Sequence, residues 1–108
     1  MPITRKFRQT VLARAQSDRR FREALLTEAV NELLAGDLQA GKAMLRDYVN
    51  ATITFDALAE TVDKSSKSLQ RMLGPRGNPT AESLFAIIKA LQAAERVELQ
   101  VKAKRRAA

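Results

Sequence analysis

A chain of 108 residues, 45% of them hydrophobic and 5% aromatic, supports one small core built mainly from Leu, Ala, Val and Ile. With no histidine and no cysteine it lacks the parts of a Ser-His or Cys-His nucleophile, a thiol redox centre or a zinc site of nitrogen and sulfur ligands. Its acids fall at helical surface spacings, so no catalytic residue, metal or cofactor is expected, and the formal charge of +7 points instead to a polyanionic partner.

The opening stretch, MPITRKFRQTVLARAQ, carries bases without a continuous apolar run. Neither a secretory signal nor a membrane span is expected, and the cytoplasm is the expected compartment, which the lack of cysteine fits. A first helix is predicted from just after Thr4 to about Gln16, with Phe7, Val11 and Leu12 on one side and Ala15 at the next turn. Ser17 and Asp18 offer an N-cap for a second helix, whose Phe21, Leu25, Ala29 and Leu33 form an i+4 row flanked by Leu26, Val30 and Leu34. Gly36 should end it, because glycine takes the left-handed cap without steric cost.

Asp37 caps a third predicted helix to about Val49, carrying Leu38, Met44, Leu45, Tyr48 and Val49 inward. Gly41 weakens it, since glycine costs roughly 1 kcal/mol against alanine in a helix interior. Thr54 caps a fourth helix over 55–62, with Phe55, Leu58, Ala59 and Val62 at i, i+3, i+4 and i+7. Ser65 caps a fifth over 66–73, with Leu69, Met72 and Leu73 inward. The run Gly74, Pro75, Arg76, Gly77, Asn78, Pro79 is a loop, and Thr80 starts a sixth helix to about Ala93 that buries Leu84, Ile87, Ile88 and Leu91. Beyond it Val97, Leu99 and Val101 alternate with Glu98, Gln100 and Lys102. That alternation reads as a short C-terminal β-strand needing a partner chain or a second copy, the alternative being a continued sixth helix running into the basic tail KAKRRAA.

Charge is layered along the chain. Residues 1–22 hold seven Arg or Lys against one acid, residues 23–63 two against eight, and residues 64–108 ten against three. A basic, acidic, basic order suits two kinds of partner surface; equally, the middle acids are solvated helix faces covered by the N-terminal arginines.

The segment TFDALAETVDKSSKSLQRMLGPRGNPT carries the functional signal. It reads as a helix-turn-helix: Ala59 is the small residue where the second helix crosses the first, and Leu69 and Met72 anchor the second helix and leave its outer face free. Asp63 stands where such turns commonly have glycine, and aspartate is one of the few other residues that tolerates positive φ. Ser65, Ser66 and Lys67 are placed to meet phosphate or base edges, Gln70 to pair with adenine and Arg71 with guanine. Arg76, with the backbone amides around Gly77 and Asn78, is placed near a phosphate.

Residues from about Phe21 to Gln92 resemble the small antitoxins, the addiction-module antidote proteins, whose helix-turn-helix is of the Xre and Cro repressor type. The resemblance rests on LLAGDLQAGKAMLRDYV and on ITFDALAETVDKSSKSLQRMLGPRGNPTAESLFAIIKALQ, where SLQRMLGPRGNPT precedes the aliphatic LFAIIKAL. It covers about two-thirds of the chain, and it departs at Asp63 and in a longer basic N-terminal helix. It implies an all-α, lambda-repressor-like fold and a protein that binds its operator as a homodimer, represses its own operon and neutralises a cognate RelE/ParE-like toxin. On that reading residues 1–36 are N-terminal helices for dimer or toxin contact, 37–94 the helix-turn-helix domain, and 95–108 the strand or basic tail. A stand-alone phage-type or mobile-element repressor without a toxin is the alternative, and an interaction protein that has lost DNA contact is a further one.

Overall fold

The computed structural model describes residues 5–107 and, for Arg5, Phe7 and Arg8, only the backbone, so the inward placement expected of Phe7 lies outside the described residues. Six helices follow one another: α1 (Arg5–Ser17), α2 (Arg19–Leu34), α3 (Leu38–Ala51), α4 (Phe55–Val62), α5 (Ser66–Met72) and α6 (Ala81–Glu95). All regular secondary structure among the described residues is helical. No helix among them is long and apolar enough to cross a membrane.

The helices start where short polar side chains can accept from the first free backbone N–H groups. Asp18 accepts from Phe21, Asp37 from Ala40, Ser65 from Ser68 and Thr80 from Ser83, at 3.0 to 3.2 Å. At the end of α2, Gly36 has φ +88°, and the Gly36 and Asp37 N–H groups donate to the Leu33 and Glu32 carbonyls. This is the paired closure that a left-handed residue permits.

One buried cluster draws on five helices: Leu26 and Ala29 of α2; Leu45, Tyr48 and Val49 of α3; Phe55 and Leu58 of α4; Leu69 of α5 with Leu73 after it; and Ile87, Ile88, Ala90 and Leu91 of α6. The expected inward stripe of α2 is buried unevenly. Leu26 and Ala29 are fully buried, whereas Phe21, Leu25 and Leu33 are half-buried and Leu34 is exposed. Arg22 lies on the Leu26–Ala29 side, at i and i+4, i+7, and pairs with Glu95 of α6. Gly41 marks the tightest passage of α3 against α2, where an added Cβ would overlap the Leu33 side chain and sit 3.2 Å from the Ala29 carbonyl. The residue that weakens α3 by propensity is thus the one that lets it dock.

The C-terminal strand is not formed, and α6 does not continue either. Arg96 adopts φ 60°, ψ 43°, closes the helix, and lets Val97 N–H reach the Gln92 carbonyl at 3.0 Å. Residues 97–107 are then non-helical, with Val97 and Leu99 half-buried against the core and Glu98 and Gln100 exposed. The two-residue alternation in the sequence records one-sided burial of this segment on α6, which needs no sheet.

Candidate nucleic-acid interface

Helix α5 has seven residues, too few to stand alone in water. It is held by Leu69 and Leu73, both fully buried, each contributing about 1.5 to 3 kcal/mol on burial. Met72 packs half-buried beside them. The connection from α4 turns at Asp63, which has φ 55°, ψ 45°, the left-handed conformation expected of it. Ala59 and Val62 of α4 lie half-buried against the same core.

Docking those apolar residues leaves the opposite side of α5 outside. Lys67, Gln70 and Arg71 are exposed, as is Ser65, whose Oγ caps the helix; Ser66 is half-buried and accepts from the Gln70 amide at 3.0 Å. Arg76 and Asn78 are exposed in the loop that follows. The seven side chains therefore fall on one stretch, the outer face of α5 and the loop at its C-terminal end. No acid lies between Lys64 and Thr80. The ion pairs among the described residues are Arg14–Asp18, Arg19–Glu23 and Arg22–Glu95, and Lys67, Arg71 and Arg76 take part in none of them.

The loop is fixed from behind by two side chains that the sequence pattern did not single out. Lys42 of α3 is 1% exposed and its Nζ donates to the Gly74 carbonyl at 3.0 Å and the Gly77 carbonyl at 2.6 Å. Arg46, one turn on, donates from Nη1 to the Leu73 carbonyl at 3.1 Å. Both cations meet carbonyls at the C-cap of α5 and in the loop just beyond it, where a positive charge is also favoured by the helix dipole. The available signal was that Lys42 stands at i, i+3 and i+7 with Leu45 and Val49, inside the inward row of α3. Gly77 packs so closely that an added Cβ would overlap the carbonyls of Arg71 and Met72.

A second polar cluster closes the far end of the core. The Arg22 guanidinium meets the Glu95 carboxylate at 2.9 Å and donates to the Ala15 carbonyl at 3.1 Å, and the Tyr48 hydroxyl donates to the same carboxylate. Burial by itself would raise the Glu95 carboxyl, but hydrogen bonds from Arg22 and Tyr48 outweigh it and hold the group below the usual carboxylate range. Burial, reinforced by the bond to Glu95, pushes the Tyr48 hydroxyl up. The cluster ties α1, α2, α3 and α6 together, and neither Arg22 nor Glu95 was picked out from the sequence.

Comparison with protein families, with characterised proteins and with solved structures finds no match to this chain.

Proposed function

We propose that α4 and α5 form a lambda-repressor-like helix-turn-helix and that the chain is a sequence-specific DNA-binding regulator, the antitoxin of a two-gene module. The observation that carries the reading is the outer face of α5, where Ser65, Lys67, Gln70 and Arg71 are exposed over buried Leu69 and Leu73 with no acid among them. Such a face suits a major groove, in which Gln and Arg offer bidentate contacts to adenine and guanine. Arg76 and Asn78 then flank a phosphate.

Repression works by occupancy. A homodimer sets two α5 helices in successive major grooves about 34 Å apart and blocks the promoter. Affinity comes mainly from Lys67, Arg71 and Arg76, so log K falls with log salt by about 0.9 for each phosphate neutralised. The toxin half of the reading, a RelE/ParE-like partner, rests on the antitoxin resemblance of residues from about Phe21 to Gln92.

The test is fluorescence anisotropy with DNA from upstream of the protein's own gene against a scrambled duplex. Arg71→Ala is expected to weaken specific binding by about 1 to 3 kcal/mol. Equal affinity for both duplexes would overturn the regulator reading. Co-expression with the product of the adjacent reading frame separates an antitoxin, which retains that product on purification, from a stand-alone repressor, which does not.

A further inference from the structure

Among the described residues, the large apolar side chains left exposed are Leu34, Leu38, Phe85 and Val101. They are not scattered. All four border two adjoining grooves between the end of α2, the start of α6 and the C-terminal segment, the larger of about 450 Å³. Phe85 at 66% and Val101 at 78% exposure are the extremes, and a contiguous apolar patch of this kind marks a surface that another chain covers.

The C-terminal segment shows which chain that is. Val97 N–H donates to the Gln92 carbonyl at 3.0 Å and Leu99 N–H to Gln92 Oε1 at 2.8 Å. Alternate backbone groups of an extended chain point to opposite edges. With 97 and 99 turned toward α6, the N–H and C=O groups of Glu98, Gln100 and Lys102 lie along the outer edge, and no hydrogen bond among the described residues engages their N–H groups. A free edge of this sort is a template for pairing.

We infer that residues 97 to 103 pair antiparallel with the same segment of a second copy, about a two-fold axis at Gln100. This register sets Glu98 opposite Lys102 of the second copy, and Lys102 opposite its Glu98, giving two ion pairs on the outer face. Neither residue has an ion-pair partner among the described residues of its own chain. On the inner face Leu99 meets Val101 and Val101 meets Leu99, covering the most exposed large apolar side chain among the described residues. The hydrogen-bonded pairs of this register are 98 with 102 and 100 with 100, the same residues whose N–H groups are free. One step further out Arg96 would face Lys104, so like charges close the ladder at both ends. A two-stranded ribbon is marginal by itself, but each strand here is backed by the core through Val97 and Leu99. The surface lies on α2, α6 and the tail, away from α5, and does not rest on the DNA reading.

The test is sedimentation equilibrium of the full chain without DNA. The native chain is expected to dimerise reversibly. Glu98→Lys alone and Lys102→Glu alone each turn both ion pairs into like-charge pairs and are expected to weaken the dimer about tenfold. The doubly swapped chain, Glu98→Lys with Lys102→Glu, recreates both pairs in reverse and is expected to return to native affinity. Both positions are exposed, so the swaps leave the core of the monomer intact. A monomeric native chain overturns the inference, including the case where it associates only with a different protein. Single swaps that leave dimerisation unchanged, or a double swap that fails to restore it, overturn it as well.

Discussion

Replacing Lys42 by methionine keeps the stem that fills the space beside α5 and removes only the ammonium. Two charge-assisted hydrogen bonds go with it, to the carbonyls of Gly74 and Gly77. The Gly74 carbonyl still accepts from the Gly77 N–H, so the Gly77 carbonyl alone is left without a partner, at about 1 to 3 kcal/mol. Against this stands the desolvation of the ammonium itself, which the native fold bears and the variant does not. The lost bond to Gly74 and the relieved desolvation offset one another, which leaves about 1 to 3 kcal/mol of lost stability. For a chain of this size that is roughly 5 to 20 °C in Tm. Urea unfolding followed by circular dichroism gives the free energy, and hydrogen exchange at Gly77, whose N–H donates to the Gly74 carbonyl, gives the local effect. Lys42→Met with native stability and unchanged exchange at Gly77 would refute the claim that this lysine holds the loop.

The loop, the α4 cap and the second polar cluster give three more expectations. Gly77→Ala places a Cβ into the backbone carbonyls of Arg71 and Met72, which have nowhere to move, and is expected to cost about 2 to 3 kcal/mol by urea unfolding, more than alanine costs at an exposed loop position. Thr54 holds φ 74°, ψ 155°, a conformation open to glycine and strained by about 1 to 3 kcal/mol for other residues, while its cap to Ala57 is long at 3.4 Å. Thr54→Gly is therefore expected to raise the melting temperature and Thr54→Ala to lower it, since alanine loses the cap and keeps its Cβ. Because the Glu95 pKa is depressed in the fold, its contribution is full above pH 4.5 and disappears as pH falls through the lower folded value, so Glu95→Gln should destabilise the chain at neutral pH and flatten the acid limb of a stability–pH profile.

Local signals carried the helices well. Each cap residue expected, Asp18, Asp37, Thr54, Ser65 and Thr80, sits at its helix start, because capping depends on a few neighbouring atoms. Asp63 takes positive φ at the turn between α4 and α5, a conformation that aspartate tolerates. What the pattern could not show were the partners chosen across the fold. Lys42 and Arg46 bind carbonyls some thirty residues away, and Arg22 binds an acid 73 residues away, separations that leave no mark on periodicity. The tail misled for a related reason. Of the alternating Val97, Leu99 and Val101 the first two are half-buried and the third is exposed, and a strand also needs a neighbouring backbone, which one chain does not supply.

Charge can now be sorted by what each cation touches, which a net value of +7 conceals. The two bases of the acidic middle stretch, Lys42 and Arg46, face inward and hold the end of α5. The acids around them are not covered by the N-terminal arginines among the described residues, apart from Glu23 with Arg19. The middle stretch is therefore acidic on its surface and basic only where it grips the loop. Lys67, Arg71 and Arg76 are exposed on α5 and the segment after it, where no ion pair among the described residues engages them. Lys42 and Arg46 hold the end of α5 and its loop from behind, so on the proposed DNA-binding reading the outward charge of this face comes from Lys67, Arg71 and Arg76 with Lys64 beside them. A cation that supports the site and a cation that forms it are then separable by burial, and substitution at one should alter stability where substitution at the other alters only affinity and its dependence on salt.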